Sequence, residues 1–169
     1  MKEIIFCFIL SLAFVFGDIS DNQTPQKTGC QSEWTYFHGS GFCYKIFVNE
    51  NWNDAEKICV KNGGHLSSIQ NKAEAFFIAK LGQSSRGFVR PEIYIGSFTS
   101  KNDGLTKWQN NDSTPFIYHY WGPKDPSDHP NEKCVEMHLF PNAFGARTGD
   151  LNNVNCEKVQ NFICKAMPF

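Results

Sequence analysis

The stretch Trp121–Cys156 reads WGPKDPSDHPNEKCVEMHLFPNAFGARTGDLNNVNC. It mixes prolines, oxygen-bearing side chains and two cysteines with little hydrophobic periodicity, a composition typical of an ordered loop. A disulfide between Cys134 and Cys156 would let its oxygen-bearing side chains point at one place. Those side chains are Asp125, Ser127, Asp128, Glu132, Asn152 and Asn153. Hard cations such as calcium take about 6–8 oxygen ligands, so the stretch is a candidate calcium site.

The composition of the whole chain is that of one folded domain. The chain has 169 residues, a formal net charge of −1 and an aromatic content of 15%. The length allows one domain with a real core, and the aromatic content favours a packed, β-rich fold. Basic and acidic residues are interspersed without a basic stripe, so the sequence predicts no nucleic-acid partner.

The amino terminus predicts export. An apolar run follows Met1-Lys2-Glu3, and the small residues Val15 and Gly17 suit a cleavage site. We therefore expect a signal peptide at residues 1–17 and a secreted protein. The alternative, a membrane anchor, requires a run of about 20 residues, and this run is shorter. Residues 18–29 are polar and predict a flexible linker before a domain at 30–165, with a tail at 166–169.

Six cysteines remain after removal of the leader, an even number that predicts three disulfides in an exported chain. Composition alone leaves many pairings open, although a hairpin over residues 30–48 brings Cys30 and Cys43 close enough to bridge. A zinc site is disfavoured because the sequence has no Cys-x-x-Cys pair. Asn22 and Asn111 begin sequons and are candidate glycosylation sites.

Helical periodicity occurs twice, in the first half of the predicted domain. The first helix has Asn51 or Asn53 as its cap and ends at Asn62-Gly63-Gly64. Asn71 caps the second, and Glu74 suits a reciprocal capping contact. The second helix is predicted to end at Gly82 and to bury one stripe: Ala75, Phe76, Ile78, Ala79 and Leu81.

Short strands account for most of the remaining pattern. They are predicted near Leu66–Ile69 and at residues 92–98, 107–109, 135–139 and 161–164. Helices followed by strands indicate an α+β domain.

Several motifs in the right order resemble the C-type lectin-like domain family. The opening motif is Trp52-x-x-Ala55-x-x-x-Cys59-x-x-x-Gly63-Gly64-x-Leu66-x-x-Ile69. It is followed by Tyr94-Ile95-Gly96, Trp108, Trp121, Cys134-Val135-Glu136-Met137 and Phe162-Ile163-Cys164. The resemblance covers Cys30 to about Lys165. It implies a fold of two helices, short antiparallel strands and a long irregular loop region. The disulfides it implies are Cys30–Cys43, Cys59–Cys164 and Cys134–Cys156.

The resemblance also implies a carbohydrate and calcium site. Asp125-Pro126-Ser127 stands where the family has Glu-Pro-Asn, Glu132 matches a single Glu, and Leu151-Asn152-Asn153 stands for Trp-Asn-Asp. Calcium would be held by Asp125, Glu132 and Asn152, and Ser127 and Asn153 would complete the sugar site. Two carboxylates replace the family's three, so calcium binding should be weaker unless Asp128 or Asp150 compensates. The bond before Pro126 is often cis in the family, and the sequence leaves its state open.

Two functions remain open at this point. The first is a secreted carbohydrate-binding protein with a degenerate calcium site that recognises glycans. The second is a calcium-independent, secreted protein-interaction module, for example in defence-related recognition.

Several other residues lie near the candidate site in the sequence. His129 is a candidate ligand contact, whereas His119 and His138 are expected to be structural or exposed. Tyr118 and Tyr120 could stack on a sugar or belong to the core. No catalytic motif is present, so we do not expect an enzyme.

Overall fold

The computed structural model describes residues 29–85, 90–100 and 107–169. The predicted signal peptide, nearly all of the predicted linker and the Asn22 sequon lie outside these ranges. The described elements, in chain order, are β1 Thr35–Phe37, β2 Phe42–Glu50, α1 Trp52–Lys61, β3 Gly64–Leu66, α2 Lys72–Ser84, β4 Glu92–Thr99, β5 Trp108–Asn110, β6 Cys134–His138, β7 Leu151–Val154 and β8 Gln160–Ala166. Within the described ranges, neither helix has the length and apolar character needed to cross a bilayer.

The strands form one sheet in the order β1-β2-β8-β4-β6-β7, with β3 paired to β8 and β5 paired to β4. The β4–β8 pair is parallel, with Tyr94 opposite Phe162, and the other pairs are antiparallel. The α+β prediction is therefore confirmed. The last strand includes Ala166, the first residue of the segment expected to be a tail.

Two buried clusters pack the helices against the sheet. One includes Ile78 of α2 with Ile93 and Met137 of the sheet, and the other includes Trp52 of α1 with Phe162. Three disulfides join Cys30 to Cys43, Cys59 to Cys164, and Cys134 to Cys156, which is the pairing that the resemblance implies. The second of these joins α1 to β8, and the third closes the loop that carries the candidate site.

The helix starts agree with the predicted caps. The Asn51 side chain accepts a hydrogen bond from the Asp54 amide at 3.0 Å, and the Asn71 side chain accepts one from the Glu74 amide at 3.0 Å. These bonds satisfy amide groups that have no partner within the first turn. Helix α1 is followed by Gly63 with φ +82°, a conformation that favours glycine.

Two details of α2 differ from the prediction. The helix continues past Gly82 to Ser84. Gly82 lies inside it because a Cβ there would come within 2.7 Å of the Leu139 side chain, so close packing rather than helix termination explains the glycine. Phe76, expected in the buried stripe, faces outward with 55% of its surface exposed, and Glu74 lies on the buried face instead.

Glu74 is fully buried at the centre of a polar network, in place of the reciprocal cap that the sequence predicts. Its carboxylate accepts hydrogen bonds from the Tyr44 hydroxyl at 2.5 Å, the Lys165 ammonium at 2.7 Å and the Gln70 amide at 2.8 Å. Burial, with the Glu74 charge acting in the same direction, raises the pKa of Tyr44 well above its ordinary value. The network connects α2 to β2 and β8.

The Asn111 side chain packs against β4 rather than extending into solvent. Its Nδ2 donates to the Glu56 carboxylate, and its Oδ1 is buried. A Cβ on Gly96 would collide with this Oδ1 and with the Leu66 carbonyl oxygen, so the family-like Tyr94-Ile95-Gly96 motif needs its glycine to admit Asn111.

Candidate functional site

Strand β7 supplies two of the five candidate site residues, Asn152 and Asn153, although its composition predicted a loop. Asn and Gly are depleted in strands, but Leu151–Val154 pairs with β6 along its whole length. The Leu151 amide also donates to the Tyr120 carbonyl at 2.8 Å, and the Gly122 amide donates to the Leu151 carbonyl at 2.8 Å. These bonds attach the start of the 122–133 loop to the sheet.

Ser127, Glu132 and Asn153 meet in one hydrogen-bonded cluster. The Ser127 amide donates to Asn153 Oδ1 at 2.6 Å, and Asn153 Nδ2 donates to the carbonyl oxygens of Ser127 at 3.0 Å and Glu132 at 3.2 Å. The Ser127 hydroxyl donates to the Glu132 carboxylate. Asn153 is 2% exposed, so its amide serves mainly to hold the loop. We call these three residues the loop cluster.

Asn152 points to a different partner, which the sequence analysis did not single out. Its Nδ2 donates to Glu136 at 2.8 Å, and Lys158 Nζ lies 2.7 Å from the other Glu136 oxygen. Glu136 is buried, so these two donors satisfy its charge. The sequence placed Glu136 in a predicted strand but gave no sign that both faces of that strand are buried.

Asp125 is half-buried beside this group, and the Asp125–Pro126 bond is cis. Burial raises the pKa of Asp125; the negative charges of Glu132 and Glu136 act in the same direction, and His138 opposes them. Asp125 therefore lies within electrostatic range of Glu132 and Glu136.

The oxygen-bearing side chains of this site are not arranged to hold a calcium ion tightly. Asn153 has its amide directed at backbone groups, the Ser127 hydroxyl is bonded to Glu132, and Lys158 already neutralises Glu136. Within the ranges described, there is no group of three His, Cys, Asp or Glu side chains suited to hold a metal. Asp150 does not compensate, because its carboxylate accepts the Arg147 amide at 2.8 Å in a separate turn; Asp128 is exposed on the loop.

His138 is buried next to the site and forms an ion pair with Glu92, at 3.5 Å between Nδ1 and Oε1. Glu92 raises the pKa of His138, with Glu136 and Asp125 adding to the effect, and His138 lowers the pKa of Glu92. The His138 contribution to stability is complete below its ordinary pKa of 6.5 and is lost as pH rises through the raised value. The contribution of Glu92 to stability is complete above pH 4.5, its ordinary pKa. It is lost as the pH falls through the lowered pKa.

This pair should give the protein a stability maximum between the two ordinary pKa values, near pH 5.5. We expect the free energy of unfolding, measured by urea titration, to fall as pH rises from 6.5 to 8. His138→Gln should flatten that part of the profile, whereas the control His119→Gln, at an exposed histidine, should leave it unchanged. An unchanged slope in His138→Gln would contradict the assignment.

The remaining candidates divide between surface and core. His129 is exposed on the loop and free to meet a ligand, and His119 is exposed as well. Tyr118 is a core residue whose hydroxyl donates to the Gly149 carbonyl at 2.9 Å. Tyr120 has 47% of its surface exposed and is available for contact.

Comparison with known proteins gives a consistent result. The family model described as "Lectin C-type domain" matches residues 48–166. The chain is 35% identical to C-type lectin lectoxin-Lei1 of Leioheterodon madagascariensis, covering 93% of each chain. It is 33% identical to the galactose-specific lectin nattectin of Thalassophryne nattereri, covering 94% of each. A crystal structure of a calcium-independent type II antifreeze protein superposes with a TM-score of 0.67 and 26% identity, over 83% of this chain and 95% of that one.

Proposed function

The chain belongs to the C-type lectin domain family, and from this we propose that it is a secreted carbohydrate-binding protein and not an enzyme. The proposed ligand is a glycan or glycoprotein that contacts the surface formed by Asp125, Ser127, Glu132 and Asn152, while the buried Asn153 holds the loop beneath it. Secretion is supported by the three disulfides, which persist in an oxidising compartment. Calcium is not needed as a tightly bound cofactor in this proposal.

The loop cluster is the observation that carries the calcium-independent form of the proposal. Asn153 and Ser127 already hold the loop and Glu132 in place through their own hydrogen bonds. A loop fixed in this way does not require a metal ion for order. Sugar hydroxyls are then bound by direct hydrogen bonds to Asp125 and Glu132, and bonds to charged groups are worth about 1.5–3 kcal/mol each.

The relatives support both parts of this proposal. Nattectin is named as a galactose-specific lectin, and the antifreeze protein that shares the fold is named as calcium-independent. Sugar recognition and independence from calcium are therefore each found among proteins similar to this chain.

A calcium titration combined with glycan binding tests the proposal. A site with calcium present at a hundred times its Kd would add about 2.7 kcal/mol, or about 5–10 °C in melting temperature. We expect a shift below about 1 °C and equal glycan-array binding in calcium and in EDTA.

The matched variants are Glu132→Gln in the site and Glu157→Gln at an exposed carboxylate outside it. Glu132→Gln should weaken glycan binding by about tenfold, and Glu157→Gln should not change it. A calcium-dependent rise of several degrees that disappears in Glu132→Gln would show instead that the family's metal site is retained.

A protein-interaction role is favoured by one separate observation. Phe144 has 89% of its surface exposed, yet it lies on an ordered turn in which Asn142 Oδ1 accepts the amides of Phe144 at 2.9 Å and Ala146 at 3.1 Å. An exposed aromatic side chain on a turn whose backbone is held in place is typical of a contact with another protein. Enzymatic deglycosylation of a captured ligand separates the two roles, because only the protein-interaction role leaves binding intact.

A further inference from the structure

A second cleft lies outside the proposed sugar site. It has a volume of about 430 Å³ and is bounded by the start of α2, the 118–120 segment and the 147–150 turn. The residues that line it are Lys72, Phe76, Tyr118, Tyr120, Arg147, Thr148 and Asp150, none of which belongs to the loop cluster. Clefts of about 300–1,000 Å³ are typical of small-ligand sites.

The walls of this cleft are fixed by hydrogen bonds. The Tyr118 hydroxyl donates to the Gly149 carbonyl at 2.9 Å, and the Gly149 amide donates to the His138 carbonyl at 2.8 Å. The Thr148 hydroxyl donates to the Leu139 carbonyl at 3.3 Å. Because the turn is anchored to the core and to the end of β6, the cleft is largely formed before any ligand arrives.

Two cationic side chains, Lys72 and Arg147, line the cleft, and Lys72 is held by a contact with an aromatic ring. Lys72 Nζ lies 4.3 Å from the centre of the Tyr120 ring, which restricts a side chain that is otherwise mobile. Lys72 is also the first residue of α2, where the helix dipole disfavours a cation and favours an anion. Arg147 has 83% of its side-chain surface exposed, and its Nε lies 3.7 Å from Asp150.

The cleft also offers an apolar wall. Phe76 has 55% of its surface exposed although it belongs to a helix whose other large apolar residues pack inward. Asp150 balances one of the two cations, which leaves one net positive charge among the lining residues. A ligand that matches the charge and the apolar wall of the cleft therefore combines a single anionic group with an apolar face.

We propose that this Lys72–Arg147 cleft binds a carboxylate-bearing ring of about monosaccharide size. The carboxylate lies between Lys72 and Arg147, and one face of the ring packs on Phe76. An acidic sugar and an aryl carboxylate share this chemistry.

The test is a titration of the full chain, in EDTA, with methyl glucuronide, methyl glucoside and benzoate, followed by NMR. We expect the glucuronide to bind at least about tenfold more tightly than the neutral glucoside, because a charge-assisted contact is worth at least about 1.5 kcal/mol. The double variant Lys72→Gln/Arg147→Gln should abolish that preference, and Phe76→Ser should weaken binding of both sugars. Benzoate distinguishes the two ligand classes. If benzoate binds and the glucuronide does not, the ligand of the cleft is an aryl carboxylate.

Controls keep this proposal separate from the sugar site. Lys80→Gln removes an exposed cation from the same helix outside the cleft and should bind the probes normally. Glu132→Gln lowers sugar binding at the loop cluster but should keep the preference for glucuronide over glucoside, because Glu132 does not line the cleft. All substituted positions in the cleft are exposed, so folding should be unaffected. Measurable binding of glucuronide and glucoside with equal affinity, an unaffected double variant, or no binding of either carboxylate would overturn the proposal.

Discussion

Replacing Lys165 by methionine is expected to lower the free energy of unfolding by about 3–5 kcal/mol, because it leaves the Glu74 carboxylate buried without its cation. The two side chains are 2.7 Å apart and are 7% and 0% exposed. The Lys165 ammonium also lies 4.5 Å from the centre of the Phe42 ring, so the substitution removes a second contact. Urea unfolding monitored by tryptophan fluorescence measures the change.

Two matched variants distinguish the cost of an unpaired buried charge from the cost of losing any lysine side chain. Glu74→Gln/Lys165→Met removes both charges and should recover most of the lost stability. Lys45→Met removes an ion pair whose Glu33 partner is 76% exposed and should cost no more than about 1 kcal/mol. If Lys165→Met loses less than about 1 kcal/mol, the network does not contribute as its geometry indicates.

The second large effect concerns the disulfide between α1 and β8. Cys59 and Cys164 are 105 residues apart, whereas Cys30 and Cys43 are 13 apart. The chain-entropy estimate gives about 4.7 kcal/mol for a loop of the first size and about 3 kcal/mol for the second. Cys59→Ala/Cys164→Ala should therefore destabilise the protein more than Cys30→Ala/Cys43→Ala.

Thermal unfolding of the two double variants, followed by calorimetry, measures this order. Cys59 and Cys164 are fully buried, so truncation there also leaves a small cavity and adds to the difference. Equal losses in the two variants, or a larger loss without Cys30–Cys43, would show that loop length does not determine the effect.

Much of this fold could be predicted because its signals are local. Asn51 and Asn71 cap helices, and the Trp52 to Ile69 motif indicates both the family and the position of the first helix. Ser127, Glu132 and Asn153 occupy family positions, and the fold brings these three residues together. Their role in ligand binding stays a prediction.

What could not be predicted depends on contacts distant in sequence. Glu74 and Lys165 are separated by 91 positions, and each alone is typical of an exposed residue. Strand β7 has the composition of a loop and becomes a strand because β6 and Tyr120 supply partners for its backbone. Phe76 fits a helical stripe by spacing, but only the packed structure shows that Glu74 and Gly82 occupy that face.

The position of Asn111 has a consequence for how the chain is processed. Oligosaccharyltransferase attaches its sugar to the amide nitrogen of asparagine, and at Asn111 that nitrogen donates to Glu56 while the rest of the amide packs over Gly96. A glycan on that nitrogen would have to occupy space filled by β4 and α1. We therefore expect folding quality control to retain any molecule that is glycosylated at Asn111 during translocation. In the mature protein, Asn111 should be unglycosylated.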